Sequence, residues 1–232
     1  MQFIEEFTPQ TWLPSLIPVV RVCEFSAHCP GAIPAASSWA LFNLGTNLPI
    51  LVFTLDTGRH FEETYKVMNQ TLSKYGKKIR VCFPDKDQVE KMMTQNGPFS
   101  FYESVENRKE CCHIRKVEPL RKVLNQASCW VTGLRAGQSD NRQALTRFEF
   151  DAVNQVVKFN PLADWSFEKV NDYLKLNHVP YNILHDRGFL SIGCAPCTRA
   201  VAPGEGIRSG RWWWENNTSR ECGLHENDQN IG

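Results

Sequence analysis

Between Ile50 and Leu55 the chain runs through a short apolar stretch rich in strand formers and stops at Asp56-Thr57-Gly58, which predicts a buried strand closed by a turn. Apolar positions then return at helical spacing. Phe61, Tyr65, Met68 and Leu72 stand at i, i+4, i+7 and i+11, Glu62 and Glu63 occupy the first turn, and Gly76 follows the end, so a helix buried on that face is expected. Ile79 to Phe83 reads as a further strand, Asp87 to Gln95 as a polar helix, Pro119 to Leu124 as a second helix and Trp130-Val131-Thr132 as another buried strand. Ser166 has the character of an N-cap for a helix that buries Phe167, Val170 and Leu174. Strand and helix alternating at this spacing imply an α/β fold, a parallel sheet covered by helices. Ligands of such sheets bind beyond the carboxyl ends of the strands, where Asp56, Thr57, Gly58 and the run Gly133-Leu134-Arg135 would lie.

Either side of this region the text changes. Six of the 13 prolines but only four of the 51 charged residues precede Ile50, and beyond Pro180 the chain is punctuated by Gly, Pro and Cys with little periodicity. Three parts are therefore expected: an atypical N-terminal segment over 1–48, an α/β domain over 49–190, and a loop-rich tail over 191–232.

Length and composition narrow the function. A chain of 232 residues with 42% hydrophobic content can bury a core without disulfide staples, and a net charge of +1 lacks the footprint of a nucleic-acid or anionic-membrane binder. The charge-poor stretch Phe25 to Leu55 is broken by Pro30, Pro34, Pro49, Asn43 and Asn47, and no basic n-region precedes the first apolar stretch, so neither a membrane span nor a secretory signal is expected and a cytoplasmic address follows. In a reducing compartment nine cysteines are more often metal ligands or catalytic thiols than bridges.

Cys194-Ala195-Pro196-Cys197 alone suits a redox dithiol, half a zinc site or half an iron-sulfur site. The vicinal pair Cys111-Cys112 narrows this. Neighbouring side chains diverge and close poorly on one zinc, but they suit two irons of a cube, so Cys111, Cys112, Cys194 and Cys197 are the expected ligands of one 4Fe-4S cluster. The plain alternative is that some of them are small buried hydrophobes. Cys82 and Cys129, in apolar strand contexts, read as core, and Cys23 and Cys29 have no ligand spacing. Cys222 stands apart in a glycine-flanked tail, where it is either a nucleophile resolved by an external thiol or an idle surface cysteine. Arg115 and Lys116 follow the vicinal pair, Arg208 and Arg211 lie between the CxxC and Cys222, and Arg135 and Arg142 flank a strand end. Together they would form a local anion clamp. Trp212-Trp213-Trp214 offers a stacking face or, for at least two of the three, a packed satellite core.

From Asn47 to His225 the chain resembles the bacterial assimilatory adenylyl-sulfate reductases of the thioredoxin-dependent type. The resemblance is carried by FTLDTGR (Phe53 to Arg59), CCHIRKVEPL (Cys111 to Leu120), TGLR (Thr132 to Arg135), Gln138-Ser139, NPLADW (Asn160 to Trp165), NILHDRG (Asn182 to Gly188), SIGCAPCTRAVAPG (Ser191 to Gly204), RSGRWWWE (Arg208 to Glu215) and ECGLH (Glu221 to His225). The paired cysteine motifs separate this group from the related 3'-phosphoadenylyl-sulfate reductases, which generally lack the cluster. The resemblance implies an adenine nucleotide alpha-hydrolase-like fold and a place in sulfate assimilation toward cysteine. The implied reaction turns adenosine 5'-phosphosulfate (APS) and reduced thioredoxin, or a glutaredoxin-like reductant, into sulfite, AMP and the oxidised reductant. By the same resemblance Cys222 attacks sulfur to give an S-sulfocysteine, Lys116, Arg208 and Arg211 bind the phosphosulfate, and His225 stands beside the nucleophile. The cluster is implied to organise charge rather than to carry electrons to substrate.

The first 48 residues depart from the family pattern. A Ser-rich, Gly-containing turn, an acidic residue and a helix are expected there as a nucleotide cradle, but Phe25-Ser26 is followed by Ala27-His28-Cys29-Pro30-Gly31, and no Asp or Glu occurs between Glu24 and Asp56. A frameshift repaired by a second one would produce such text, as would a lineage-specific replacement. The alternatives to an active reductase are thus a relative inactivated by loss of this loop and, from another class, a zinc-binding nucleic-acid module.

Overall fold

In the computed structural model, whose described residues are 21–24, 50–76, 78–138 and 144–215, one sheet is built from six strands. They are Arg21–Glu24 (β1), Ile50–Leu55 (β2), Arg80–Cys82 (β3), Cys129–Val131 (β4), Phe148–Asp151 (β5) and Val156–Phe159 (β6). Their order is β3-β2-β1-β4-β6-β5, and every neighbouring pair is parallel except β5 with β6. The chain winds from β1 through β2 to β3 on one side and then crosses to β4 on the other. The winding reverses at β1, so a crevice opens beyond the carboxyl ends of β1 and β4.

The expected parallel sheet with covering helices is present. The β5–β6 hairpin is an addition that the reading of the strands omitted; its outward face carries Phe148 stacked on Phe159 with ring centroids 4.6 Å apart, while its other face pairs Glu149 with Lys158 at 2.8 Å. The central core joins Phe53, Leu55, Trp130 and Val156 of the sheet to Leu120, Val123 and Leu124. A fully buried side chain such as Phe53 contributes roughly 1.5–3 kcal/mol by leaving water. Cys82, half-buried, packs against this core, and Cys129 is half-buried as well.

Helix α1 spans Glu62–Tyr75, but its buried residues are Thr64, Val67 and Thr71, not the predicted Phe61, Tyr65, Met68 and Leu72. Threonine can face the core because the Thr71 hydroxyl donates to the Val67 carbonyl within the helix at 2.8 Å. Tyr65 is drawn to the rim, where its hydroxyl donates to Asp56 at 3.0 Å. Lys86–Asn96 (α2) is capped by the Asp85 carboxylate, which accepts from Gln88 N. Phe167–Leu176 (α5, after the two helices described next) is capped as expected by Ser166, whose hydroxyl accepts from Lys169 N at 3.1 Å, and it buries Val170 and Leu174 while Phe167 stays half-buried.

The segment that positions the site is one continuous rod. Val105–Cys112 (α3) passes without a break through a π-helical turn, His113–Val117, into Glu118–Leu124 (α4), so the helix expected from Pro119 begins much earlier. Pro119 supplies the physical reason for the π turn. Inside a helix a proline ring clashes with the carbonyl four residues back and brings no N–H for it, and widening the turn relieves both. Glu118 N accordingly donates to the His113 carbonyl, five residues back. The widened turn buries Ile114, Arg115, Lys116 and Val117 in succession.

From Pro180 to Glu215 the chain is loop and short 3₁₀ turns, as its punctuation implied. Among the described residues no helix is long and apolar enough to cross a membrane.

Candidate active site

The turn after β2 is held by Asp56, whose Oδ1 accepts from Gly58 N at 2.8 Å and from the Tyr65 hydroxyl at 3.0 Å. Gly58 lies at φ +70°, a conformation that favours glycine, and a β-carbon there would stand 3.5 Å from Arg115 Nη1. Thus Asp56 and Gly58 shape the turn, and Thr57 between them makes the cross-links. Its carbonyl accepts from Arg115 Nη1 at 2.7 Å, and its hydroxyl lies 3.3 Å from Cys194 Sγ. The next residue closes the connection, because Ala195 N donates to the Arg59 carbonyl at 2.8 Å.

The CxxC loop is tied by Thr198, whose hydroxyl donates to the Cys194 carbonyl at 2.9 Å and accepts from Gly193 N at 3.0 Å. Thr198 and Arg211 form an isolated antiparallel bridge. This brings the Arg211 guanidinium across Gly193 so closely that a β-carbon there would collide with it. Arg211 Nη1 donates to the Ile192 carbonyl at 3.3 Å and its guanidinium lies 4.6 Å over the Trp212 ring.

These elements form a small recess that Cys111, Cys112, Cys194 and Cys197 all line. Phe101, Arg59, Arg108, Arg115 and Lys116 complete its wall, and among the described residues no carboxylate lines it. Burial pushes the Cys197 thiol up to about 12, with Cys194 adding to the rise and Lys116 and Arg211 opposing it. Cys111 is likewise raised by burial against the pull of Arg59, Arg115 and Lys116. At Cys194 burial also raises the thiol, but Lys116, the Thr57 hydroxyl, Arg211 and Arg59 together outweigh it and hold the group below its ordinary value.

Four thiols in a cation-walled recess fit a thiolate-ligated cluster. Among the described residues no three His, Cys, Asp or Glu side chains are arranged round a single ion. Ligands of a four-iron cube stand further apart than ligands of one ion, at whose centre sulfur must approach to about 2.3 Å. Two buried donors beside the thiols, Arg115 Nε and Trp212 Nε1, have no acceptor among the described residues. Sulfur-rich, anionic contents would supply them with acceptors.

Of the predicted anion-binding residues, Lys116 lines the recess and Arg211 lies behind the CxxC loop, both buried. Arg208, half-buried, lies 6.0 Å from the Trp212 ring centre. Arg135 is not in the recess wall; it is buried at the end of β4, where Nη1 donates to the Trp165 carbonyl at 3.4 Å. Cys222, His225 and Arg142 lie outside the described residues, as do residues 25–49. Trp212 is fully buried, Trp214 packs beside it and Trp213 is partly exposed, so the triple tryptophan is largely a satellite core.

The sequence reading passed over Arg59, Arg108 and Glu215. Arg108 was legible in principle, since i, i+3 and i+4 place it on one helical face with Cys111 and Cys112. Its buried bidentate pair with Glu215, at 2.8 and 3.0 Å, joins residues 107 apart and has no local signal.

Residues 36–200 match the model of the phosphoadenosine phosphosulfate reductase domain. An adenosine 5'-phosphosulfate reductase of Agrobacterium fabrum is 51% identical over 183 residues, 78% of this chain and 70% of that protein. One from Allochromatium vinosum is 49% identical over 181 residues, 78% of this chain and 71% of its own. The crystal structure of a phosphoadenylyl-sulfate reductase from Candida auris, in a phosphate complex, superposes with a TM-score of 0.61 at 25% identity, covering 81% of this chain and 85% of that one. A Candida glabrata FMN adenylyltransferase, at TM-score 0.53 and 14% identity over 91% of this chain and 70% of that one, shares the fold alone. The chain belongs to the phosphoadenosine phosphosulfate reductase family, the family that includes the adenosine 5'-phosphosulfate reductases.

Proposed function

We propose that the chain reduces APS to sulfite and AMP with a dithiol protein, thioredoxin or a glutaredoxin-like reductant, as donor. The observation that carries this reading is the placement of Lys116 in the recess wall with the four cysteines and of the Arg211 guanidinium against Gly193, beside Cys194. APS presents a phosphosulfate dianion, and a thiolate reaches its sulfur only where fixed positive charge offsets the repulsion. Lys116, Arg208 and Arg211 supply that charge, and Arg135, with the turn Asp56-Thr57-Gly58, borders the crevice on the nucleotide side. The Cys222 thiolate attacks sulfur, the bond from sulfur to the bridging oxygen breaks, AMP leaves with the electron pair, and Cys222 carries an S-sulfo group. A reductant thiolate then attacks Cys222 Sγ and expels sulfite, and the reductant's second thiol releases Cys222, so the two electrons come from the dithiol. His225 is assigned beside Cys222 as the polar partner of the thiol. Cys111, Cys112, Cys194 and Cys197 would hold a 4Fe-4S cluster, which when bound supplies fixed charge and sulfur acceptors to the recess.

On this reading residues 49–190 bind nucleotide, 191–232 hold cluster and catalytic thiol, 1–48 are the altered segment, and the protein works in the cytoplasm without nucleic acid or membrane. Family membership removes the ground for a zinc-binding nucleic-acid module. The test is an anaerobic assay of the purified chain with APS and reduced thioredoxin: sulfite and AMP in equal amounts are expected, and absence of both with cluster intact would leave the inactivated relative as the answer.

A further inference from the structure

Arg108 has two neighbours, Trp212 and Glu215, to which the proposed chemistry gives no role. It lies on the face of α3 that carries Cys111 and Cys112 and lines the recess with them. Its guanidinium stacks 4.5 Å over the fully buried Trp212 ring, whose other cationic neighbours are Arg211 at 4.6 Å and Arg208 at 6.0 Å. Its Nε and Nη2 donate to the two Glu215 oxygens at 2.8 and 3.0 Å, with both side chains almost wholly buried. Trp212 sits at φ +45°, a strained backbone for a bulky side chain, which persists only where the surroundings hold it. Glu215 N donates to the Trp212 carbonyl at 2.9 Å, so the pair and the strained turn form one unit.

Seven residues further along the sequence is Cys222, within about 25 Å of Glu215 even at full extension. A thiol on so short a tether depends on where the tether starts. We propose that the Arg108–Glu215 pair is the anchor that sets the starting point of the Cys222 segment, which makes Arg108 and Glu215 positioning residues for the thiol step. The inference rests on Cys222 being the nucleophile. It separates two jobs within one helix face: Cys111 and Cys112 serve the recess, and Arg108, one turn earlier, serves the tail.

The experiment follows transfer of label from sulfur-labelled APS to Cys222 in a single turnover without reductant, alongside cluster absorbance and APS affinity. Wild type is the control for the parent reading: no label on Cys222 there would refute the nucleophile and leave the anchor without a subject. Glu215→Ala should keep APS affinity and cluster absorbance but slow labelling by about a hundredfold, the scale on which small misplacements act. Because that variant removes the carboxylate from a buried guanidinium, Glu215→Gln is the companion. Its amide oxygen still accepts from Arg108 at almost unchanged volume, and it should restore labelling to within a few-fold of the wild-type rate. Labelling of Glu215→Ala at the wild-type rate overturns the anchor. So does a folded, cluster-bearing Glu215→Gln protein as slow as Glu215→Ala, or a Glu215→Ala protein that loses affinity, absorbance and labelling together.

Discussion

Thr57 Oγ1 lies 3.3 Å from Cys194 Sγ, joining the carboxyl end of β2 to a loop 137 residues later in the chain. The same residue's carbonyl receives Arg115 from the π turn, so the nucleotide side of the sheet, the CxxC loop and the cation-bearing helix meet at one threonine.

Anaerobically purified protein should be brown and carry about four irons and four sulfides per chain, as four thiolates require. Cys194→Ser or Cys197→Ser should lose the colour, whereas Cys129→Ser, altered at a half-buried strand position away from the recess, should keep it. Stoichiometric zinc without sulfide would refute the cluster.

On the proposed function Lys116→Ala and Arg211→Ala should each weaken APS binding and slow the chemical step, because the anion they would bind is present in ground and transition states. Loss of one such group costs on the order of a hundredfold or more in kcat. Cys222→Ser should bind APS normally and release no sulfite. The split between affinity and single-turnover rate distinguishes the two kinds of residue, and a Cys222→Ser enzyme that turns over would place the thiol elsewhere.

His185 gives the fold a pH dependence of known sign. Burial holds its pKa below 6.5, outweighing the bond from Nδ1 to the Phe189 carbonyl at 2.7 Å and the nearby Asp186. In the unfolded chain the ring takes its proton near pH 6.5, while in the fold it resists until lower pH. Its stabilising effect is therefore complete above 6.5 and declines as pH falls from there to the folded value. His185→Gln should flatten the fall of Tm between neutral and mildly acidic pH; an unchanged slope would assign the fall to other groups, of which His60, also lowered by burial, is one.

The altered N-terminal text carries its own prediction. Pro30 and Pro34 remove N–H donors from a region where the family's cradle is expected to offer them to phosphate. Replacing residues 27–46 by a Ser/Gly turn and an amphipathic helix should tighten APS binding by about tenfold for each charged hydrogen bond restored. Equal affinity of the two versions, measured by calorimetry, would mean that the chain as written has a working cradle.

The strands β2, β3 and β4 were legible because short apolar runs bounded by turns have few other solutions. The buried face of α1 was not, since Thr64 and Thr71 enter the core only by satisfying their hydroxyls locally, as Thr71 does on Val67. The β5–β6 hairpin was hidden by its inverted polarity, with aromatic side chains outward and an ion pair inward. The four recess cysteines were legible from spacing and motif, and the recess does contain all of them. Arg135 follows β4 by four residues, and the bond from its Nη1 to the Trp165 carbonyl joins segments 30 residues apart, which no local pattern announces.

The nine residues from Cys111 to Pro119 carry two recess thiols, two cations and the proline that spaces them. An insertion or deletion inside this stretch would rotate thiols and cations relative to each other, and Pro119→Ala would invite the helix to tighten and do the same. Thiol placement and charge placement therefore cannot drift apart in descendants of this chain: the stretch is inherited whole, or both degrade together.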